Sequence, residues 1–241
     1  MSGLRTSLKD FYSSSPMTLA DIGVVPGRGL KEHWDLLGAD YLGGRAGGYD
    51  LTVDGTANHF RYEKRALIAD GGGAMLNSNM PRGAGAAGNV FTYVAVHKSA
   101  KSGQSYLLSN PDNRGVSLIR VGAHAGYVYA ASTDGKNIKS ASGDDAPGKL
   151  FDSWIAYAVA CDGTKIYLSV DGAPWGAGYA VDAAGIYPLL AGSMLRFGDP
   201  YTTTEGATAA LTYWSVKLTD AEIATHFKAM QRRVLLAGGV M

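Results

Sequence analysis

Residues 154–172, WIAYAVACDGTKIYLSVDG, leave the chain little choice but to form a β-hairpin. Two runs of alternating side chains flank an Asp-Gly, and a second Asp-Gly closes the second run. With Asp162-Gly163 as a two-residue loop, Cys161 faces Thr164, Val159 faces Ile166, Tyr157 faces Leu168 and Ile155 faces Val170. One face is then almost wholly apolar. The other sets Ala160 against Lys165, Ala158 against Tyr167, Ala156 against Ser169 and Trp154 against Asp171, which suits a surface or a shallow groove. A slip of one residue would mix the two sets, so the register is tightly specified.

Shorter β-like runs precede the hairpin at 51–53, 59–68, 89–98, 105–110, 116–121 and 127–132, divided by Gly-, Asp- or Asn-containing turns. Glycine, 33 of 241 residues against an ordinary share of about 7%, supplies many tight turns. Strands at this spacing predict an all-β fold, a two-sheet antiparallel sandwich. Residues 1–29, serine-rich and then Gly/Pro-rich, read as an N-terminal arm ahead of a single domain over 30–241. Leu4, Leu8, Phe11, Met17, Leu19 and Ile22 space out anchors along that arm, either for a neighbour to bury, another protein or a second copy of the chain, or to seal an edge strand of the chain's own sandwich.

One helix is expected, over 219–233. Thr219 and Glu222 form a capping box, Leu218 and Ile223 a hydrophobic staple, and Ile223, Phe227, Met230 and Val234 a packing stripe. Arg232 and Arg233 suit the negative end of its dipole.

In order, these features resemble the concanavalin A-like lectin/glucanase jelly rolls, and within them the laminin-G-like and pentraxin-like domains. The resemblance rests on Trp154, Asp162-Gly163-Thr164, Ile166-Tyr167-Leu168, Val170-Asp171-Gly172, LRFGD at 195–199 and ALTYWSVKLTDAEIATHF at 210–227, and it spans about residues 30–232. It implies a jelly-roll sandwich, and relatives of this kind include lectins, hydrolases, adhesion modules and virion proteins, so function rests on the site.

The hydrolase branch carries paired carboxylates on a strand, because glycosidic cleavage needs two carboxyls set close together. Here Glu32, Glu63, Glu205 and Glu222 are far apart in sequence, so no enzymatic activity is expected. His33, His59, His97, His124 and His226 are scattered singly and read as solvated or packed side chains, while the lone Cys161 reads as a buried small hydrophobe. The resemblance implies that calcium, though not required, would be held by the loop residues Asp112, Asn113 and Asp199. Sugar binding calls for an aromatic platform beside polar side chains, and the candidates are Tyr106, Asn110, Asp112, Arg114, Tyr127, Tyr129, Trp175 and Tyr201.

A net charge of +1 gives no broad footprint for nucleic acid or an anionic membrane. The opening residues lack the apolar core of a secretion signal, so synthesis in a host cytoplasm is expected. The expectation placed first is a non-enzymatic virion protein, such as a bacteriophage capsid decoration or tail component, joining other virion proteins through its arm and binding host-surface glycans. The alternatives are a free-standing carbohydrate-binding module and, behind it, a divergent glycoside hydrolase.

Overall fold

A computed structural model of the chain describes residues 28–37, 42–54, 60–63, 66–70, 75–81, 90–99, 104–109, 116–121, 124–131, 137–142, 153–180, 194–198 and 205–236. The arm over 1–27 lies outside the described residues. In chain order the strands are β1 (Leu30–Asp35), β2 (Thr52–Asp54), β3 (Phe60–Glu63), β4 (Ala66–Asp70), β5 (Met75–Pro81), β6 (Val90–Ser99), β7 (Gln104–Leu108) and β8 (Val116–Val121). There follow β9 (His124–Ala131), β10 (Asn137–Ser142), β11 (Trp154–Asp162), β12 (Lys165–Val170), β13 (Tyr179–Ala180), β14 (Met194–Gly198), β15 (Glu205–Trp214) and the helix α1 (Asp220–Leu236).

The strands form an antiparallel β-sandwich. The larger sheet runs β13-β12-β11-β6-β15, and the far edge of β15 is shared: β1 pairs with Ala210–Trp214, while β4, backed by β3, pairs with Glu205–Thr208. The second layer consists of β10-β9-β8-β7 and β14-β5-β2, which meet where the Ser109 N–H donates to the Arg196 carbonyl at 3.1 Å. Between the layers, Phe91, Tyr93, Tyr157, Val159, Cys161, Leu211 and Tyr213 of the larger sheet pack in one core with Leu76, Leu107, Leu118 and Phe197 of the second.

The hairpin forms, with a register two residues from the expected one. Cys161 pairs with Ile166, Val159 with Leu168 and Tyr157 with Val170. A two-residue shift keeps every side chain on its expected face, so the apolar set still enters the core. The cause is the loop, which is Gly163-Thr164 rather than Asp162-Gly163. Asp162 stands before it, and its Oδ1 accepts the N–H groups of Thr164 (2.8 Å) and Lys165 (2.7 Å), while Gly163 takes φ +92°.

The opposite face of the hairpin is not a surface. Ala156, Ala158 and Ala160 of β11, Val94 and Val96 of β6 and Trp214 of β15 form a second apolar cluster with Ile223, Met230 and Val234 of α1. The small alanine side chains let the helix lie close to the sheet, and β11, covered on both faces, reads as a nearly continuous apolar run for that reason. The stretch 59–68 is also two strands rather than one, since β3 and β4 fold back on each other with Glu63 opposite Ala66.

The helix begins as its sequence predicts and ends three residues later. The Glu222 N–H donates to Thr219 Oγ1 (3.2 Å), and the Thr219 N–H donates to Glu222 Oε2 (2.7 Å), closing the capping box. Phe227 packs against Gly172, where a Cβ would stand 2.7 Å from the Phe227 Cβ. No helix among the described residues is long and apolar enough to cross a membrane.

Candidate functional site

The second layer brings three predicted site residues to one face. Tyr106 pairs with Ile119, Ile119 with Tyr127 and Tyr127 with Ala141, making one row across β7, β8, β9 and β10. The next row on that face joins Ser117, Tyr129 and Lys139. Val116 and Leu118 enter the core between the sheets, and the rows through Ser117 and Ile119 alternate with theirs along β8. Tyr106 is half-buried there. Three aromatic positions within two adjacent rows are the raw material of a stacking platform, with Lys139 paired to Tyr129 in the second row. Lys139 escaped the sequence reading because its place depends on the β9–β10 register.

Trp175 does not join this platform. It is buried, its indole N–H donates to the Leu218 carbonyl (2.9 Å), and its backbone N–H donates to Asp220 Oδ1 (3.0 Å). It fastens the loop after β12 to the start of α1, edge-on to Tyr167 and with the Lys217 ammonium above both rings. A ring so held has no free face for a sugar. Asn110, Asp112, Asn113, Arg114, Asp199 and Tyr201 lie outside the described residues. Among the described residues, no group of three or more His, Cys, Asp or Glu is placed to hold a metal ion.

Several carboxylates are occupied in building the fold. Glu32 accepts the N–H groups of Ala46 (2.6 Å), Gly47 (2.9 Å) and Tyr49 (2.9 Å), shaping the loop after β1. Asp171 accepts the Ala156 N–H. Burial would raise the Asp162 carboxyl, but hydrogen bonds from the Tyr167 hydroxyl and the Thr164 and Lys165 N–H groups outweigh it and hold the carboxyl at about 2. Burial, with Asp162 alongside, pushes the Tyr167 hydroxyl up to about 12.

A polar seam crosses the apolar contact between α1 and the larger sheet. Arg233, expected only near the helix dipole, is buried against Asp35 of β1, with Nη2 2.6 Å from Oδ2 and Nε 3.2 Å from the same oxygen. His33 hydrogen-bonds through Nδ1 to Thr212 Oγ1 at 2.8 Å. His226 lies edge-on to Trp214 at 4.7 Å, and neither of its buried ring nitrogens has a hydrogen-bond partner among the described residues. Two histidines that look isolated in sequence thus share one interface. Nothing in the sequence announces it, because the partners lie at opposite ends of the chain.

No protein-family model and no curated protein matches the sequence. Solved structures do resemble the fold. Domain 4 of AbnA, a GH43 extracellular arabinanase from Geobacillus stearothermophilus in complex with arabinotriose, superposes with a TM-score of 0.59 at 13% identity, over 82% of this chain and 97% of that one. The receptor binding domain of botulinum neurotoxin D gives 0.59 at 12% identity, over 83% of this chain and 52% of that one. Trypanosoma rangeli sialidase in complex with sialic acid gives 0.57 at 17% identity, over 92% of this chain. This chain spans 37% of that sialidase's length. The shared feature is a β-sandwich fold.

Proposed function

We propose that this chain is a carbohydrate-binding β-sandwich domain that binds without cleaving, with the glycan on the tyrosine-bearing face of β7, β8, β9 and β10. The observation that carries this reading is the register that sets Tyr106, Tyr127 and Tyr129 on one face. Two further observations support it. The arabinanase domain that resembles this chain over nearly its whole length was solved with arabinotriose, and Glu32, Asp35, Asp162, Asp171 and Glu222 are each engaged in folding contacts. The virion role expected first gains no support from the fold or from the resemblances, so the carbohydrate-binding alternative takes its place.

A glycan array that includes arabino-oligosaccharides and sialylated glycans, followed by calorimetry on the strongest ligand, tests the proposal. Tyr127→Ala and Tyr129→Ala are each expected to weaken binding about tenfold or more, with the melting temperature little changed. An array with no retained glycan, or tyrosine variants that bind as well as the parent, would sink the reading. Calcium is not required by it, so EDTA is expected to leave the affinity unchanged. A loss on chelation would instead make ligands of Asp112, Asn113 and Asp199.

A further inference from the structure

The seam beneath α1 holds more titratable groups than docking an amphipathic helix needs. Ile223, Met230 and Val234 already supply an apolar stripe. Yet the sheet presents His33 and Asp35 to the helix, and the helix answers with His226 and Arg233, all four buried. The Asp35 carboxylate is taken up by Arg233 on both oxygens, which leaves it poorly placed to neutralise a second cation. Among the described residues, the other charges near His33 are Glu32, held by backbone N–H groups of its loop, and Arg45, whose N–H donates to the His33 carbonyl. One turn before His226, Glu222 is committed to the capping box. The residues of β6, β11 and β15 in this interface, among them Val94, Val96, Ala156, Ala158, Thr212 and Trp214, carry no charge. Among the described residues, a proton on either ring would therefore be buried without a free counter-ion and close to a guanidinium.

We propose that this seam is an acid-sensitive latch: protonating His33 and His226 releases α1 from the larger sheet, while the core between the sheets keeps the sandwich folded. Both rings sit well below the ordinary 6.5, at about 3. Burial is the main cause for each, reinforced at His33 by Arg233 and Arg45 and at His226 by His33. Because the docked values are depressed, both rings favour docking fully above pH 6.5 and surrender that contribution as the pH falls toward 3. At pH 5 the linkage shifts the docking equilibrium about 30-fold for each ring and about a thousandfold for both. The capping box does not share this window, since the Glu222 carboxyl is held below its ordinary 4.5, first by the Thr219 N–H. Between pH 6.5 and 4.5 the response belongs to the histidines.

Amide hydrogen exchange of the full chain from pH 7 to 4.5, corrected for intrinsic rates, tests the latch. The α1 amides should lose protection by about a thousandfold at pH 5, while Tyr157 and Val159 of β11 stay protected. The His33→Asn/His226→Leu double variant should flatten that response. A helix with pH-independent protection, helix and β11 amides opening together, or a variant that follows the parent would each overturn the proposal. NMR titration of the two rings in the parent chain needs no variant, and a midpoint near 6.5 for both would overturn it as well.

Discussion

The two faces of the larger sheet are both buried and are built on opposite plans. Toward the second layer, Phe91, Tyr93, Tyr157 and Tyr213 fill space with large rings, and Phe91 stacks on Tyr213 at 5.7 Å. Toward α1, alanines bring the helix close, and the seam of His33, Asp35, His226 and Arg233 interrupts the apolar contact. An apolar interface of bulky side chains fails gradually, because each truncation removes contacts and leaves a partly collapsible cavity. A close interface with buried charge fails abruptly, because removing one partner strands the other.

The largest expected effect tests that contrast directly. Arg233→Met leaves the Asp35 carboxylate buried without its guanidinium and should cost about 3–5 kcal/mol. Adding Asp35→Leu should recover most of the loss, since an apolar pair of similar volume avoids desolvating two ions. Urea denaturation of both variants measures it. Ile155→Val, on the face toward the second layer, should cost only about 0.5–1.5 kcal/mol. If Arg233→Met proved as mild as Ile155→Val, the seam would not differ in kind from the core.

Next in size is overpacking. Ala158 is buried beneath α1, and Ala158→Leu would push the helix outward at a cost of about 1–3 kcal/mol. Thermal unfolding reads the loss, and an unchanged midpoint would mean that the helix does not depend on close approach.

These contrasts also mark what the sequence made legible. The face toward the second layer was readable because its alternation of large apolar residues has a single buried solution. The capping box was readable because Thr219 and Glu222 are three residues apart and need no tertiary partner. The alanine face misled, since alanine is at home on a surface and under a helix alike, and only the position of α1 decides between them. Asp35 and Arg233 stand 198 residues apart, and no local pattern links them. The tyrosine row was half-legible: the residue types pointed to sugar, while their shared face depends on the pairing of β7, β8 and β9. Trp175 misled for a related reason, because its partners Leu218 and Asp220 come from a distant segment.

The smallest expected effect concerns Asp162, a hydrogen-bonded carboxylate that lies near the surface rather than in the seam. Its carboxyl is held at about 2 against an ordinary 3.8, so its contribution is complete above pH 3.8 and is lost as the pH falls through 2. Water reaches this group, which screens the interaction, so Asp162→Asn should cost less than about 1 kcal/mol at neutral pH. The Asn Oδ1 can still accept the Thr164 and Lys165 N–H groups that fix the loop, and the register of β11 against β12 should persist. Stability of the parent and the variant measured from pH 7 to 2 should differ by a constant amount down to about pH 4 and converge below it. If Asp162→Asn instead cost as much as Arg233→Met, hydrogen-bond number rather than burial would set the strength of a polar contact in this fold, and the distinction between the two faces would lose its physical basis.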